Sequence, residues 1–356
     1  MPPTFAVPAI HAYSHSGPRL KQSRTAPAHI SAGSEQRQRS NTLWHYVSLG
    51  LLGHLLWGSY PVFAKRAVAD VPKFSLLFIA SLTAASVGAV LVRTYDGLTW
   101  QDVWGILRRE RALWGLAIFV VLRSVTNIIS IELTHAIWVQ LINILTPFPV
   151  ALLGAWFFGE PVPRYTYRAL TLSTLGAALM LVQDWSQFLA GFTPRDILGL
   201  ATAIVSTMAL ATYFQLVRRS RLRQASGGLI MFQQGIAMGL AHATLSLSTR
   251  ENWGAWTTVS PMGWLGVAGT ILLAQVLGNL VQIVAIGGAN PAIITSLMPL
   301  RLASALILGW LILHEQLVTP LQWLGMFVAV VTISLYLWMQ SSYNDSSREK
   351  VSPART

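Results

Sequence analysis

The sequence predicts an all-α polytopic membrane protein, with ten transmembrane helices arranged as two inverted five-helix repeats. Three observations carry this. First, 53% of the 356 residues are hydrophobic and only 11% are charged, against roughly 25% charged in soluble domains. Second, apolar runs of about 20 residues recur along the chain, the length that crosses a bilayer as a helix. These runs are continuous, not alternating with period two, which argues against a β-barrel. Third, a stretch of the first half, Arg123–Glu160, returns in altered form as Gln275–Glu315.

Residues 1–43 are rich in Ser, Pro, His and Arg with one acid, Glu35. They have no apolar core, so they are not a secretory signal. They read as a disordered cytoplasmic tail; their composition also fits a plastid transit peptide, which would place the protein in the envelope. Residues 44–182 form the first repeat. Its spans are Trp44–Ala64, Phe74–Val92, Ala112–Leu133, Ile137–Phe158 and Tyr167–Val182. Residues 183–196 connect the repeats. Residues 197–339 form the second, with spans Ile197–Val217, Leu229–Leu247, Gly263–Ile286, Pro291–Leu313 and Leu321–Trp338; residues 340–356 are a polar tail. The segment Asp96–Arg111 has weak helical periodicity and is expected at the membrane surface.

Basic residues set the orientation. Lys65, Arg66, Lys73, Arg195 and Arg250 fall on one side, and Arg123 and Arg301 lie inside spans. The rest of the 25 occupy the other side, which the positive-inside rule makes cytoplasmic, with both termini. The membrane expected is the cell (inner) membrane. The same distribution explains the net charge of +12 without nucleic acid. With no cysteine, disulfides, thiolate metal sites and cysteine nucleophiles are excluded.

In the repeated stretch, Asn127 and Pro147 are twenty residues apart, as are Asn279 and Pro299. Leu153, Gly154 and Glu160 match Leu308, Gly309 and Glu315. Two copies of an odd number of spans must face opposite ways, an architecture whose binding site lies near the midplane.

The chain resembles the EamA type of the drug/metabolite transporter superfamily over roughly residues 48–338. The residues that carry the resemblance are Leu56, Trp57, Gly58 and Ser59 with Pro61 and Lys65, then Thr146-Pro147 and Gly159-Glu160, and finally Gly309 and His314-Glu315. The family usually has Gly-Glu at both repeat ends; here the second is His-Glu. Arginines in the middle of spans 3 and 9 are also departures. The resemblance implies a ten-helix carrier with two EamA repeats that moves small organic metabolites, often outward.

The candidate site comes from polar residues at membrane depth. Arg123, Thr126, Asn127 and Ser130 share one helix face, as do Gln275, Gly278, Asn279 and Gln282. Such stripes are untenable against lipid and turn inward. Gln140 and Asn143 lie one turn apart in span 4, and Arg301 sits mid-span in span 9. No acid occurs mid-span to neutralise Arg123 or Arg301, so an anionic group of a substrate is their natural partner. Trp57, beside Gly58 and on one face with His54, offers an aromatic wall. Tyr213, Gln234, Met238 and His242 are weaker candidates. Pro61, Pro147 and Pro299 are candidate kinks or hinges. Lys65 reads either as a cavity-mouth residue or as a snorkelling one, and Glu160 and Glu315 as structural helix-end residues. The substrate-binding set is therefore Trp57, Arg123, Asn127, Gln140, Asn143, Gln275, Asn279 and Arg301.

No nucleophile elbow, phosphate loop, zinc helix or paired mid-membrane carboxylates occur. The expectation is a non-enzyme without metal or cofactor. It is a secondary carrier of metabolites bearing an anionic group, such as amino acids or organic acids, working by alternating access and carrying cargo outward. Its partners are the bilayer, the substrate and, as a further expectation, a second copy in a homodimer. The rival reading is a non-transporting sensor or scaffold that keeps the carrier fold; it expects a tightly packed interface between the repeats and no central polar cavity.

Overall fold

The computed structural model describes residues 32–158, 162, 165–181, 193–222, 225–288, 297–315, 317 and 319–351. Contacts divide the chain into Met1–Ser40 and Asn41–Thr356; the helix packing and the site described below lie in the second unit. Helices and turns make up the described residues, with no strand among them.

Helix falls at every expected span. Helix α1 (Ala32–Val68) begins upstream of span 1 and runs unbroken through Pro61. Helix α2 (Lys73–Thr94) carries span 2. The polar connection forms α3 (Trp100–Arg109), opened by a capping box between Thr99 and Asp102. Helix α4 (Arg111–Leu133) is span 3. Span 4 is split into α5 (Ala136–Asn143) and α6 (Pro147–Phe158) by a turn at residues 144–146. Pro147 has no N–H to continue the ladder, so the break falls at its N-terminal side. Helices α7 (Tyr165–Leu181), α8 (Pro194–Leu222) and α9 (Gly227–Ser248) carry spans 5 to 7. Span 8 is composite: α10 (Pro261–Ala268), a wider π-type stretch (Gly269–Gly278) and α11 (Asn279–Gly288). Span 9 is α12 (Pro299–Leu308) followed by a second π-type stretch (Gly309–Leu313). Helix α13 (Pro320–Val351) carries span 10.

Among the described residues, six helical stretches are long and apolar enough to cross a bilayer: His45–Val68, Lys73–Thr94, Arg111–Leu133, Ala136–Trp156, Pro194–Val217 and Pro261–Ala285. Leu300–Leu313 and Pro320–Tyr336 are shorter apolar helices. Glu160, Pro291 and most of the connection between the repeats lie outside the described residues.

The packing comes in exchanged pairs. Helix α4 packs on α8, the first helix of the second repeat. Conversely, α10 packs on α1, the first helix of the first repeat, where Gly266 meets Phe63 and Ala67. Helix α2 crosses its counterpart α9, and α7 crosses α13. Where α2 and α9 cross, a Cβ on Gly88 would lie 2.4 Å from the Phe232 nitrogen, and one on Gly235 2.6 Å from that of Ala85. Small residues permit this approach, since helices in lipid associate by close van der Waals packing. The same device joins α1 to α12, where a Cβ on Gly58 would meet the Arg301 carbonyl at 2.4 Å.

The second repeat end explains one departure from the family pattern. His314 has φ 56°, in the left-handed region. That bend lets the Glu315 N–H reach the Gly309 carbonyl at 3.0 Å. Glycine adopts this conformation freely; histidine bears about 1–2 kcal/mol of strain there. His314→Gly is expected to raise stability by about 0.5–1 kcal/mol, after glycine's greater unfolded-state entropy is deducted. Thermal unfolding in detergent checks this: an unchanged or lower Tm counts against the strain.

Candidate functional site

A cavity lies between the repeats. It is lined by Trp57 of α1, Val120 and Arg123 of α4, Leu210 and Tyr213 of α8, Gln234 and Met238 of α9, Gln275 of the π-type stretch, and Asn279 and Gln282 of α11. Its empty space, counted out to open solvent, is about 320 Å³, and little of it is wide enough for a water molecule. It is a pinched site, and a metabolite needs the helices to part.

The indole of Trp57 organises the charges. The Arg123 guanidinium carbon lies 4.5 Å from the indole centroid and that of Arg301 lies 5.8 Å from it. Cation–π contact of this kind holds a guanidinium without neutralising it. Among the described residues, neither arginine has an ion pair with a carboxylate. Arg301 is buried, and its Nε donates to Nδ1 of buried His54 at 2.9 Å. His54 therefore accepts at Nδ1. Ser304, one turn on, donates to the Leu55 carbonyl at 2.8 Å, which fixes α12 against α1.

The amides divide into two groups. Gln275, Asn279 and Gln282 face the cavity, as their spacing predicts. Asn127, Asn143 and Gln140 lie buried behind it. Asn143 donates to Asn127 at 3.3 Å, and Thr207 donates to Asn143 at 3.3 Å. The Tyr60 hydroxyl is within hydrogen-bonding reach of both Asn127 and Gln275 and so links this buried group to the cavity wall. Of the eight residues in the predicted binding set, the structure brings Trp57, Arg123, Gln275 and Asn279 to the cavity. Arg301 is not among the lining residues, but its guanidinium carbon lies 5.8 Å from the indole centroid of Trp57, which is. Pro61 continues α1, while Pro147 and Pro299 each open a helix.

Sequence reasoning assigned no role to Tyr60, although it stands one turn from Trp57 on the same face. Tyr213 donates to Gln234 at 3.0 Å. That bond depends on α8 meeting α9, which no local pattern reveals. His242 turns away from the cavity and meets Ser81 of α2 at 3.1 Å.

Buried polar atoms without partners mark where a ligand would bind. Among the cavity-lining residues they are Trp57 Nε1 and Gln234 Nε2, and outside that set Arg301 Nη2. All three are N–H donors. The site thus offers donors and two cations, and no carboxylate.

One end of the bundle is closed by ionic and capping contacts. Glu315 pairs with Lys65 at 2.9 Å and approaches His135 at 3.5 Å. Its two oxygens also accept from the Ala136 and Ile137 N–H groups at 3.4 Å, capping α5 of the other repeat. Lys65 donates to the Thr134 carbonyl at 2.7 Å. Lys73 pairs with Glu132 at 2.5 Å, and Arg195 donates to the Glu132 carbonyl at 3.0 Å. Burial alone would raise the Glu315 pKa. The hydrogen bond from His135 and the charge and hydrogen bond of Lys65 outweigh it and hold the carboxyl at about 2. Across the same end, Glu251 accepts from the Phe74 and Ser75 N–H groups at 2.9 and 2.8 Å. Its negative charge there complements the positive end of α2.

Comparison with known proteins gives a consistent picture. Residues 44–182 match the EamA-like transporter family. The chain is 24% identical over 188 residues to an uncharacterized transporter of Vibrio cholerae, a match covering 52% of this chain and 57% of that protein. It therefore spans little more than half the length of that relative. It is also 24% identical over 224 residues to the pseudopaline exporter CntI of Pseudomonas aeruginosa, covering 62% of this chain and 75% of the exporter. A solved structure described only as the crystal structure of a protein superimposes with a TM-score of 0.59 at 16% identity. That match covers 83% of this chain and 97% of the other, and it shows a shared fold.

Proposed function

We propose, starting from the chain's place in the EamA-type drug/metabolite transporter superfamily, that it is a secondary carrier of small organic anions working by alternating access through ten crossings. The observation that carries this is the cavity itself. It is lined from both repeats, four amides, a tyrosine and an arginine stand among its apolar side chains, and that arginine has no carboxylate partner among the described residues. A scaffold that merely kept the fold has no use for such a space, and its arginines would be neutralised within the protein. Binding at the interface of inverted repeats is also how alternating access works, because rocking one repeat against the other exposes the same site to either side.

In this reading the end held by Glu315 and Lys65 is the closed gate. Cargo enters from the opposite end, which is the cytoplasmic one if the orientation expected from the basic residues holds. Outward movement agrees with the exporter among the relatives. Amino acids and organic acids are the classes to test.

Proteoliposomes loaded with unlabelled cargo give the test. Counterflow of at least one labelled organic acid or amino acid, above that of protein-free vesicles, is the expected result. No counterflow across both classes overturns the carrier reading.

A further inference from the structure

The cavity has a charge pattern that discriminates among organic anions. Arg123 belongs to the first repeat and Arg301 to the second, and both guanidiniums lie on one indole. They are at most about 10 Å apart, the sum of their distances to the Trp57 ring. Two like charges this close repel one another, the more so away from water. Nothing acidic among the lining residues balances them. The bond from Arg301 Nε to His54 fixes one edge of that guanidinium and leaves Nη2 buried and without a partner among the described residues.

We infer that the cargo is a dicarboxylate, one carboxylate meeting Arg123 and the other Arg301. This rests on the carrier reading and narrows its substrate class. A monocarboxylate leaves one guanidinium uncompensated. A zwitterionic amino acid does the same and adds an ammonium group for which the lining residues offer no carboxylate. A dicarboxylate neutralises both arginines by charge-assisted hydrogen bonds, the strongest kind available here. Trp57 Nε1 and Gln234 Nε2 supply further donors to the four carboxylate oxygens.

Three four-carbon compounds separate the cases: succinate with two carboxylates, butyrate with one, and 4-aminobutyrate with one carboxylate and an ammonium. Binding to the purified full-length protein is measured by thermal shift, and each compound is also used to compete with counterflow. Succinate is expected to bind at least about tenfold tighter than either of the others, since each charge-assisted hydrogen bond adds that order of affinity. Arg301→Lys, which keeps the charge but loses the fork, is expected to lose most of this preference while still binding butyrate. That retained binding reports an intact fold. Butyrate or 4-aminobutyrate binding as tightly as succinate overturns the dicarboxylate inference and leaves the carrier standing. So does a silent succinate while other anions exchange. If no anion exchanges at all, the carrier reading falls first and this inference with it.

Discussion

Replacing Arg123 with alanine is expected to abolish counterflow of the anionic cargo. Two losses combine. The charge-assisted hydrogen bonds to the cargo disappear, worth about 1.5–3 kcal/mol each, and the guanidinium no longer holds the Trp57 indole from 4.5 Å. Affinity should fall at least about tenfold, and roughly a hundredfold if both contacts matter. Stability should hardly change, because an unneutralised cation at membrane depth costs energy and does not supply it. Arg123→Lys should lie between the two, retaining charge without the planar fork. Counterflow and Tm measured on the same preparations decide. Transport equal to wild type by Arg123→Ala removes the arginine from the site.

Glu315→Gln carries the second large effect, a loss of stability. The carboxylate pairs with Lys65 and caps α5, so glutamine removes the ion pair and leaves one accepting oxygen where two met the α5 N–H groups. Removing one partner of a buried pair costs about 3–5 kcal/mol. Lys65 keeps 28% of its side chain exposed, so about 2 kcal/mol is the better expectation here. The sign with pH follows from the depressed pKa. The ionised form is favoured by folding, so its contribution is complete above the ordinary value of 4.5 and is lost as the pH falls towards about 2. Wild type should therefore lose stability through that window, and Glu315→Gln should show a shallower loss there. A variant with the wild-type Tm and the wild-type acid profile would show that the latch holds nothing. Because the same carboxylate links α5 to the end of α12, the variant should also open this end more readily, seen as faster labelling of a cysteine placed at Thr134.

Sequence alone revealed most of the architecture, because lipid leaves a chain few choices. Apolar runs had to become helices, and the asparagine–proline spacing had to mark a repeat. Gln275, Asn279 and Gln282 were legible as a stripe because an amide on a lipid-facing surface has nowhere to go. Arg123 was legible for the same reason, and Trp57 as an aromatic wall beside the close approach at Gly58. Other features depend on distance in the chain. Lys65 and Glu315 meet only because α1 and α12 end at the same level of the bundle. Tyr213 finds Gln234 only through the α8–α9 contact. Asn127 and Asn143 read as cavity residues by the same argument as Asn279, yet they satisfy one another behind the wall. Polarity at depth says that a residue faces inward; it does not distinguish a ligand surface from a buried bond. The left-handed His314 left no trace in the pattern beyond the absence of a glycine.

The π-type turns at Gly269–Gly278 have no counterpart in α4, which is regular helix throughout. Under alternating access the two repeats trade shapes as the site changes sides. On the register that matches Asn127 to Asn279, Ala117 and Thr126 of α4 stand where Gly269 and Gly278 bound the wide turns, so the two repeats differ in sequence as well as in shape at this point. If the alternating access proposed above holds, the outward- and inward-open forms are unequal in energy and the empty protein rests in one of them. Such a bias leaves the overall equilibrium of cargo across the membrane untouched, but it divides turnover into a fast stroke and a slow one.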